Sequence, residues 1–555
     1  MKRVCILSIL AILSFAYLYY WGKVAQPFKR KQPSLSIPLS LQGQALQRGN
    51  RFTLTQTAAV PTRTADRDTL LSPEEWERLR EAISWPSPDR AVPSLNDSTD
   101  PARCSYHVPG LRANYTVGDS LEVALVARDF SGRPKRYGGD FFQAKLHSPE
   151  LRASTYGSVS DHRNGSYTVR FTLLWPGPAR IALRLIHSSE AVQVLRGQRD
   201  RDPNRVYFRG YYVEGGMEEA VVCNAQKIGS APYCEYRDPA TGEMWFCQKP
   251  ARLPCHALVY HSMGGYQAKL SSLEQALLSK KVTDIWIRGD DVKITVLPPE
   301  AENRGCSVCR TEQRCVPGLD TPVPAGFYFQ DRWTSLVCAT WSFPNPEQIS
   351  SCLRNKQLYM MGDSTLRQWF EYLEKTVPTL KQLDLHTSSQ SGPLMAVDPG
   401  NNVVLHWRAH GLPIRTLKVP WVSLHYIANE LDGLAGGAHT VVVFTLWAHF
   451  TTFPPEQLVR RVASVRRAVV SLLHRSPSTL VVIKSANTGY KDVYGSDWLS
   501  LQLDVLLRRM FQGLPVVLLD VWQMTSCQSS PDNIHPPPTV IRNEVDMFLS
   551  FVCPP

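Results

Sequence analysis

Ser364 sits where an apolar run gives way to a helical pattern, in Lys356-Gln-Leu-Tyr-Met-Met-Gly-Asp-Ser-Thr-Leu-Arg-Gln-Trp-Phe370. Residues 358–361 read as a buried strand. Leu366, Trp369, Phe370 and Leu373 recur at the spacing of one helical face, which Pro378 ends. Gly362 suits the tight turn between them, so Ser364 is placed at a helix start, where unpaired backbone N–H groups can meet an oxyanion. That is the geometry of acyl transfer. A serine hydroxyl needs a base at neutral pH, and an imidazole base needs a carboxylate to set its tautomer. Asp532-Asn-Ile-His535, in a Pro-rich loop near the end of the chain, supplies both. The expected triad is Ser364 as nucleophile, His535 as base and Asp532 as its orienting acid. Gly118-Asp119-Ser120 repeats the tripeptide but runs into the strand pattern of residues 121–127, and it reads as a turn.

From residue 321 to 555, apolar runs at 357–361, 403–407, 440–446, 479–485 and 514–521 alternate with helical patterns. Near-continuous Val, Leu and Ile runs predict a mainly parallel sheet covered on both faces, whose ligands bind at the carboxyl ends of the strands. Ser364, Gly411, His449, Asn487 and His535 each follow one of these runs. The Ser364 N–H is the first expected oxyanion donor, a backbone N–H at Gly411 the second, and a side chain, His449 or Asn487, the third; the competing reading for each is an ordinary turn or loop residue. Arg367 reads either as a substrate contact or as a surface salt bridge. The helical pattern at 458–475 has apolar residues on one face, and its arginines read as a solvated face or as contacts to an anionic glycan.

Upstream, an almost uncharged run within residues 1–22 is near the ~20 residues that cross a bilayer, so a signal anchor, or a signal peptide cleaved near Ala25, is expected. Residues 23–101 are polar and read as a stem, 102–215 alternate as strands of a β-sandwich, and 216–320 form a cysteine-rich segment. Of the 13 cysteines, all but Cys5 lie beyond the apolar run, and an even number suits disulfides in an oxidising lumen. Cys338, Cys352, Cys527 and Cys553 are expected to pair among themselves. Cys306, Cys309 and Cys315 lack a second Cys-x-x-Cys, so no metal site is expected. Asn96, Asn114 and Asn164 occupy glycosylation sequons. The net charge of +12 permits anionic partners, but no nucleic-acid motif accompanies it.

Gly362-Asp-Ser364 with Asp532-x-x-His535, at opposite ends of one α/β pattern, resembles the SGNH/GDSL-type PC-esterase domain. Gly326-Phe-Tyr-Phe-Gln-Asp-Arg-Trp333, Met361-Gly-Asp-Ser-Thr-Leu-Arg-Gln-Trp-Phe-Glu-Tyr372, Ala428-Asn-Glu-Leu431 and Asp546-Met-Phe-Leu-Ser-Phe-Val-Cys-Pro554 resemble the neurexophilin and PC-esterase domain (NXPE) family, over roughly residues 100–555. One departure from SGNH enzymes is that no Gly-x-Asn-Asp segment is evident, and Leu446-Trp-Ala-His-Phe450 stands in its place. The resemblance implies an Ig- or filamin-like sandwich, a cysteine-rich neurexophilin-like segment and an SGNH-like catalytic domain. It implies an O-acyltransferase or esterase on glycan hydroxyls, sialic acid O-acetylation first, with acetyl-CoA as candidate donor and no bound cofactor. It also implies a type II Golgi membrane protein or a secreted one. The rival expectation is a non-catalytic binding glycoprotein with a neurexin-like receptor.

Overall fold

The C-terminal sheet follows from the alternation inside its strands. Leu358, Met360, Val441, Val443 and Val482 pack into one buried cluster, whereas Met361, Val442, Phe444, Val481 and Ile483 pack into another. Consecutive side chains of a strand point to opposite faces, so these runs are apolar throughout because both faces are covered. Helices Ser364–Thr376 and Pro538–Val552 cover the first face, and Pro455–Arg475 and Asp497–Phe511 the second. Gln357–Gly362 lies centrally, parallel to Val403–Ala409 on one side and Thr440–Phe444 on the other; Leu480–Lys484 and then Val517–Leu519 continue the parallel order. Leu394–Asp398 and Lys381–Leu383 add two antiparallel strands at the far edge. This computed structural model describes residues 70–88, 91–227, 229–230, 232–289, 292–299, 311–387 and 390–554. The expected anchor, Cys306 and Cys309 lie outside them, and among the described residues no helix is long and apolar enough to cross a membrane.

The expected strands of the N-terminal β-region are present as Ser120–Val126, Phe141–Ser148, Ser166–Thr172 and Gly177–His187. Ser120 opens the first of them and is exposed, as the turn reading of Gly118-Asp119-Ser120 requires. A fifth strand, Ala153–Asp161, joins Phe141–Ser148 to Ser166–Thr172; its Ser, Thr and Gly content hides it from a hydrophobicity pattern. Ile285–Trp286 and Lys293–Leu297 return to pair with Gly177–His187, and Gly326–Phe329 pairs with Ala153–Asp161. A separate six-stranded sheet contains Val206–Glu214 through Leu258–Tyr266 and is completed by Val419–Pro420 from the C-terminal region. Residues 70–88, expected as stem, also pack: Leu79 is buried, Glu75 pairs with Arg466, and Trp85 meets Phe141 and Trp498 edge-on. The three sequon asparagines are exposed.

Cys223–Cys247 and Cys234–Cys255 staple the six-stranded sheet, and Cys315–Cys338 and Cys352–Cys553 the region beyond. Of the four cysteines expected to pair among themselves, only Cys352 and Cys553 do. Cys338 takes Cys315 instead, and Cys527 is a free thiol at the end of a wholly buried helix, pushed up to about 12 by burial. Cys104 is free and buried as well. Cys352–Cys553 closes a span of 201 residues and fixes helix Pro346–Leu353 to the end of Pro538–Val552. Because a crosslink over a long loop restricts the unfolded chain strongly, Cys352→Ser with Cys553→Ser is expected to lower stability by about 2–5 kcal/mol. Denaturant unfolding of the paired variant against the parent measures it.

Candidate active site

Two segments far apart in sequence meet at the carboxyl edge of the parallel sheet. The first is the turn after Gln357–Gly362. Asp363 caps the helix, its Oδ1 accepting from the Thr365 N–H at 2.9 Å and the Thr365 hydroxyl at 2.7 Å, and it is almost fully buried. Gly362 is required by proximity, since a Cβ there would stand 2.7 Å from Thr445 Cγ2 on the neighbouring strand end. Ser364 is therefore the first helical residue, and its N–H has no acceptor within the helix. The second is the loop carrying His535. Ser364 Oγ and His535 Nε2 are 2.7 Å apart, a hydrogen bond that joins the expected nucleophile to the expected base.

Four contacts hold that loop. Asn533 Oδ1 accepts from the His535 N–H at 3.0 Å, Asn487 Nδ2 donates to the Ile534 carbonyl at 2.8 Å, and Gln368 Nε2 donates to the Pro536 carbonyl at 3.3 Å. Gly489, at φ +133°, lies so close that a Cβ would stand 2.3 Å from Ile534 N. Beneath them Lys484, fully buried at the end of Leu480–Lys484, donates to Asn487 Oδ1 at 2.6 Å and to Thr365 Oγ1 at 3.3 Å, so one ammonium ties the histidine loop to the serine helix. Burial pulls its pKa down, while Glu544, Asp363 and Asp504 oppose that shift. Sequence reasoning passed over Lys484. Its signal was an ionisable residue closing an otherwise apolar buried strand.

His535 is exposed, yet the protein packed around its ring still lowers its pKa; Asp363 opposes that shift and Arg367 adds to it. The neutral imidazole needed of a base is thus favoured. His449 lies near enough to feel the His535 charge, and its Nδ1 is 3.0 Å from His410 Nε2. Burial drives His410 down to about 3 and His449 well below its ordinary value, so both rings are neutral. Of the expected oxyanion donors, Asn487 serves the loop, and Gly411, at φ +84°, packs against His425 and Tyr426 with no room for a side chain. Arg367 pairs with Glu371 at 2.8 Å and donates to the Gln390 carbonyl at 2.9 Å, the surface-pair alternative. In helix Pro455–Arg475, Arg461 is not on a solvated face: it is buried against Glu243 and the carbonyls of His410 and Leu412, because it crosses to the six-stranded region.

Asp532 is placed apart from His535. Its Oδ2 is ion-paired with Arg184 of the β-region and lies 3.8 Å from Lys491 Nζ, and among the described residues no hydrogen bond or ion pair joins it to His535. The pair at the site is Ser364 with His535.

Two family models match the chain. One, described as NXPE family member 4-like, C-terminal domain, matches residues 333–553, and one described as Neurexophilin matches residues 103–274. A solved Escherichia coli adhesin structure, FdeC, is 12% identical and aligns over 35% of this chain and 66% of that one, with a TM-score of 0.13.

Gly489→Ala pushes a methyl into the backbone that carries His535 and moves the imidazole from Ser364. A displacement near 1 Å costs on the order of 10²-fold in rate. The expected outcome is a comparable fall in the rate at which a fluorophosphonate labels Ser364, read by mass spectrometry of the Ser364 peptide.

Proposed function

The chain belongs to the NXPE family, and from that premise we propose that it is a serine-dependent O-acyltransferase or esterase acting on glycan hydroxyls in the secretory pathway, with sialic acid O-acetylation the activity to test first. The observation that carries this reading is the 2.7 Å hydrogen bond between Ser364 Oγ and His535 Nε2 at a helix N-terminus. Its disulfides and family domains are consistent with a secretory-pathway protein; a Golgi membrane address belongs to the proposal. The C-terminal sheet with its serine turn is the part we assign to an SGNH-like PC-esterase domain.

The chemistry runs through two residues. Ser364 Oγ attacks the acyl carbonyl as His535 Nε2 takes its proton, and the Ser364 N–H at the helix start faces the developing oxyanion. Collapse breaks the bond to the leaving group, which receives the proton from His535 and leaves an acyl-Ser364. A sugar hydroxyl, deprotonated by His535, then attacks that ester, and its product takes the acyl group while Ser364 recovers a proton. Water in place of the sugar makes the same steps a hydrolysis. Acetyl-CoA is the donor to try first, as a substrate. A second reading, a binding glycoprotein without catalysis, is favoured by the Neurexophilin match over residues 103–274.

The test is mass spectrometry of cell-surface glycans with purified or expressed parent and variants. Ser364→Ala and His535→Ala are each expected to lower acetyl transfer or removal by at least about 10³-fold, whereas Ser120→Ala leaves it unchanged. An unchanged Ser364→Ala protein would displace the nucleophile, and a parent without activity on any acetylated or acceptor sugar would put the binding reading first. The pH dependence has a fixed sign. Because the His535 pKa is lowered, the base stays neutral below the ordinary histidine midpoint, so the acid limb of kcat/KM is expected below pH 6.5.

A further inference from the structure

We propose that Arg184 is a positioning residue that holds the His535 loop through Asp532, making the β-region a structural part of the site and Asp532 a latch rather than the acid that orients the imidazole. The inference rests on the reading of Ser364 and His535 as the reacting pair. Its geometry does not.

Arg184 lies on Gly177–His187 between Gln143 of Phe141–Ser148 and Trp286, and the Arg184 and Gln143 side chains are both buried. Its Nη2 donates to Gln143 Oε1 at 2.7 Å, and its Nη1 reaches both Asp284 Oδ1 at 3.0 Å and Asp532 Oδ2. Gln143 passes the connection on, donating through Nε2 to Asp497 Oδ2 at 3.0 Å. Asp497 in turn accepts from the N–H groups of Gly489, at 2.7 Å, and Tyr490, at 2.9 Å, and pairs with Lys491. Gly489 is the residue on which Asn533 and Ile534 rest. A second strand position, Lys145, donates to the Gln528 carbonyl at 2.9 Å, where the loop begins. The Trp286 ring covers both cations, 4.9 Å from the Arg184 guanidinium and 5.6 Å from Lys145 Nζ. The loop is therefore gripped at residue 528, at 532 and, through 489, at 533–534, and every one of these grips leads back to the β-region.

The charges agree with a latch. The Asp532 carboxylate is only 14% exposed and turns to Arg184 and Lys491, cations it shares with Asp284 and Asp497, and not to the imidazole, which it does not touch. The planar guanidinium matters as well, because it serves Asp284, Asp532 and Gln143 at once, which a single ammonium cannot match.

The test uses the full-length glycosylated protein and its variants Arg184→Gln, Asp532→Asn and the double variant. Three quantities are read: the fluorophosphonate labelling rate at Ser364, the pH midpoint of that labelling, and hydrogen exchange in residues 528–535. The latch gives Asp532→Asn a loss of about 10–100-fold in labelling, Arg184→Gln at least as large a loss because it also frees Gln143, a double variant no slower than Arg184→Gln, faster exchange in 528–535 in all three, and an unchanged midpoint. A double variant that loses the product of the two single losses overturns it. So does a lower midpoint in Asp532→Asn but not in Arg184→Gln, which would mean that Asp532 acts on His535 directly, and so does unchanged exchange in Arg184→Gln. If Arg184→Gln is not secreted, Arg184→Lys carries the same comparison, with faster exchange in 528–535 supporting the latch and parental exchange overturning it. A parent that the probe leaves unlabelled at Ser364 removes the acyl-enzyme reading alone, and the exchange measurement still decides the latch.

Discussion

The ammonium of Lys484 is the constraint on which the site depends. It is fully buried, and among the described residues no carboxylate lies within ion-pair distance of it. An unpaired charge in that position is costly unless its protons are satisfied. The Thr365 hydroxyl, the Asn487 side-chain oxygen and the Ser485 carbonyl accept them, and the first two residues are the supports of Ser364 and His535 respectively. Whatever displaces either support leaves the ammonium with an unmade bond, so the two halves of the site resist moving apart. Asp363 joins the same network from the turn, capping the helix through Thr365 while its charge acts on both Lys484 and His535. The ordering of the pair thus comes from beneath the sheet edge, where water does not compete.

A second level of support comes from outside the sheet. A loop between helices Val521–Cys527 and Pro538–Val552 has few backbone bonds of its own, and loops without such bonds open easily. The Lys145, Arg184 and Gly489 contacts supply what the loop lacks. Strands returning to the β-region from 285–297 and 326–329 reinforce the same wall, since Ile285–Trp286 places the Trp286 ring over Arg184. The β-region is bound into the molecule by pairing and not merely attached to it.

Much of the sheet and the meeting of Ser364 with His535 was legible because both announce themselves locally. A strand buried on two faces must be a continuous apolar run, and a serine that follows glycine and precedes a helical face must stand at a helix start; Gln357–Gly362 and Ser364 were found on those grounds. His535 was found because a base for that serine had to exist and the chain offered one in a terminal loop. What stayed hidden was non-local. Nothing near Asp532 says that its partner is Arg184, and nothing in the run 153–161 marks a strand whose burial is given by neighbours from 141–148 and 166–172. Cysteine pairing hid for the same reason, since Cys315 and Cys352 choose partners by the fold and not by spacing.

Three imidazoles gather at this edge, and their coexistence follows from keeping them uncharged. His410 and His449 share one hydrogen bond between ring nitrogens, which requires that one ring donate and the other accept, and so at least one nitrogen of the pair must be bare. Burial enforces this by penalising the imidazolium. Were His449 charged, it would repel a proton from His535; being neutral, it adds no such repulsion. The field that does reach His535 is mixed, with Asp363 and Glu371 favouring protonation and Arg367 and Lys484 opposing it, and desolvation is the largest influence. In the proposed reaction, an imidazolium at His535 would feel the carboxylate that caps the serine helix, Asp363, as a favourable charge acting without direct contact, a role different from the orienting acid expected of Asp532.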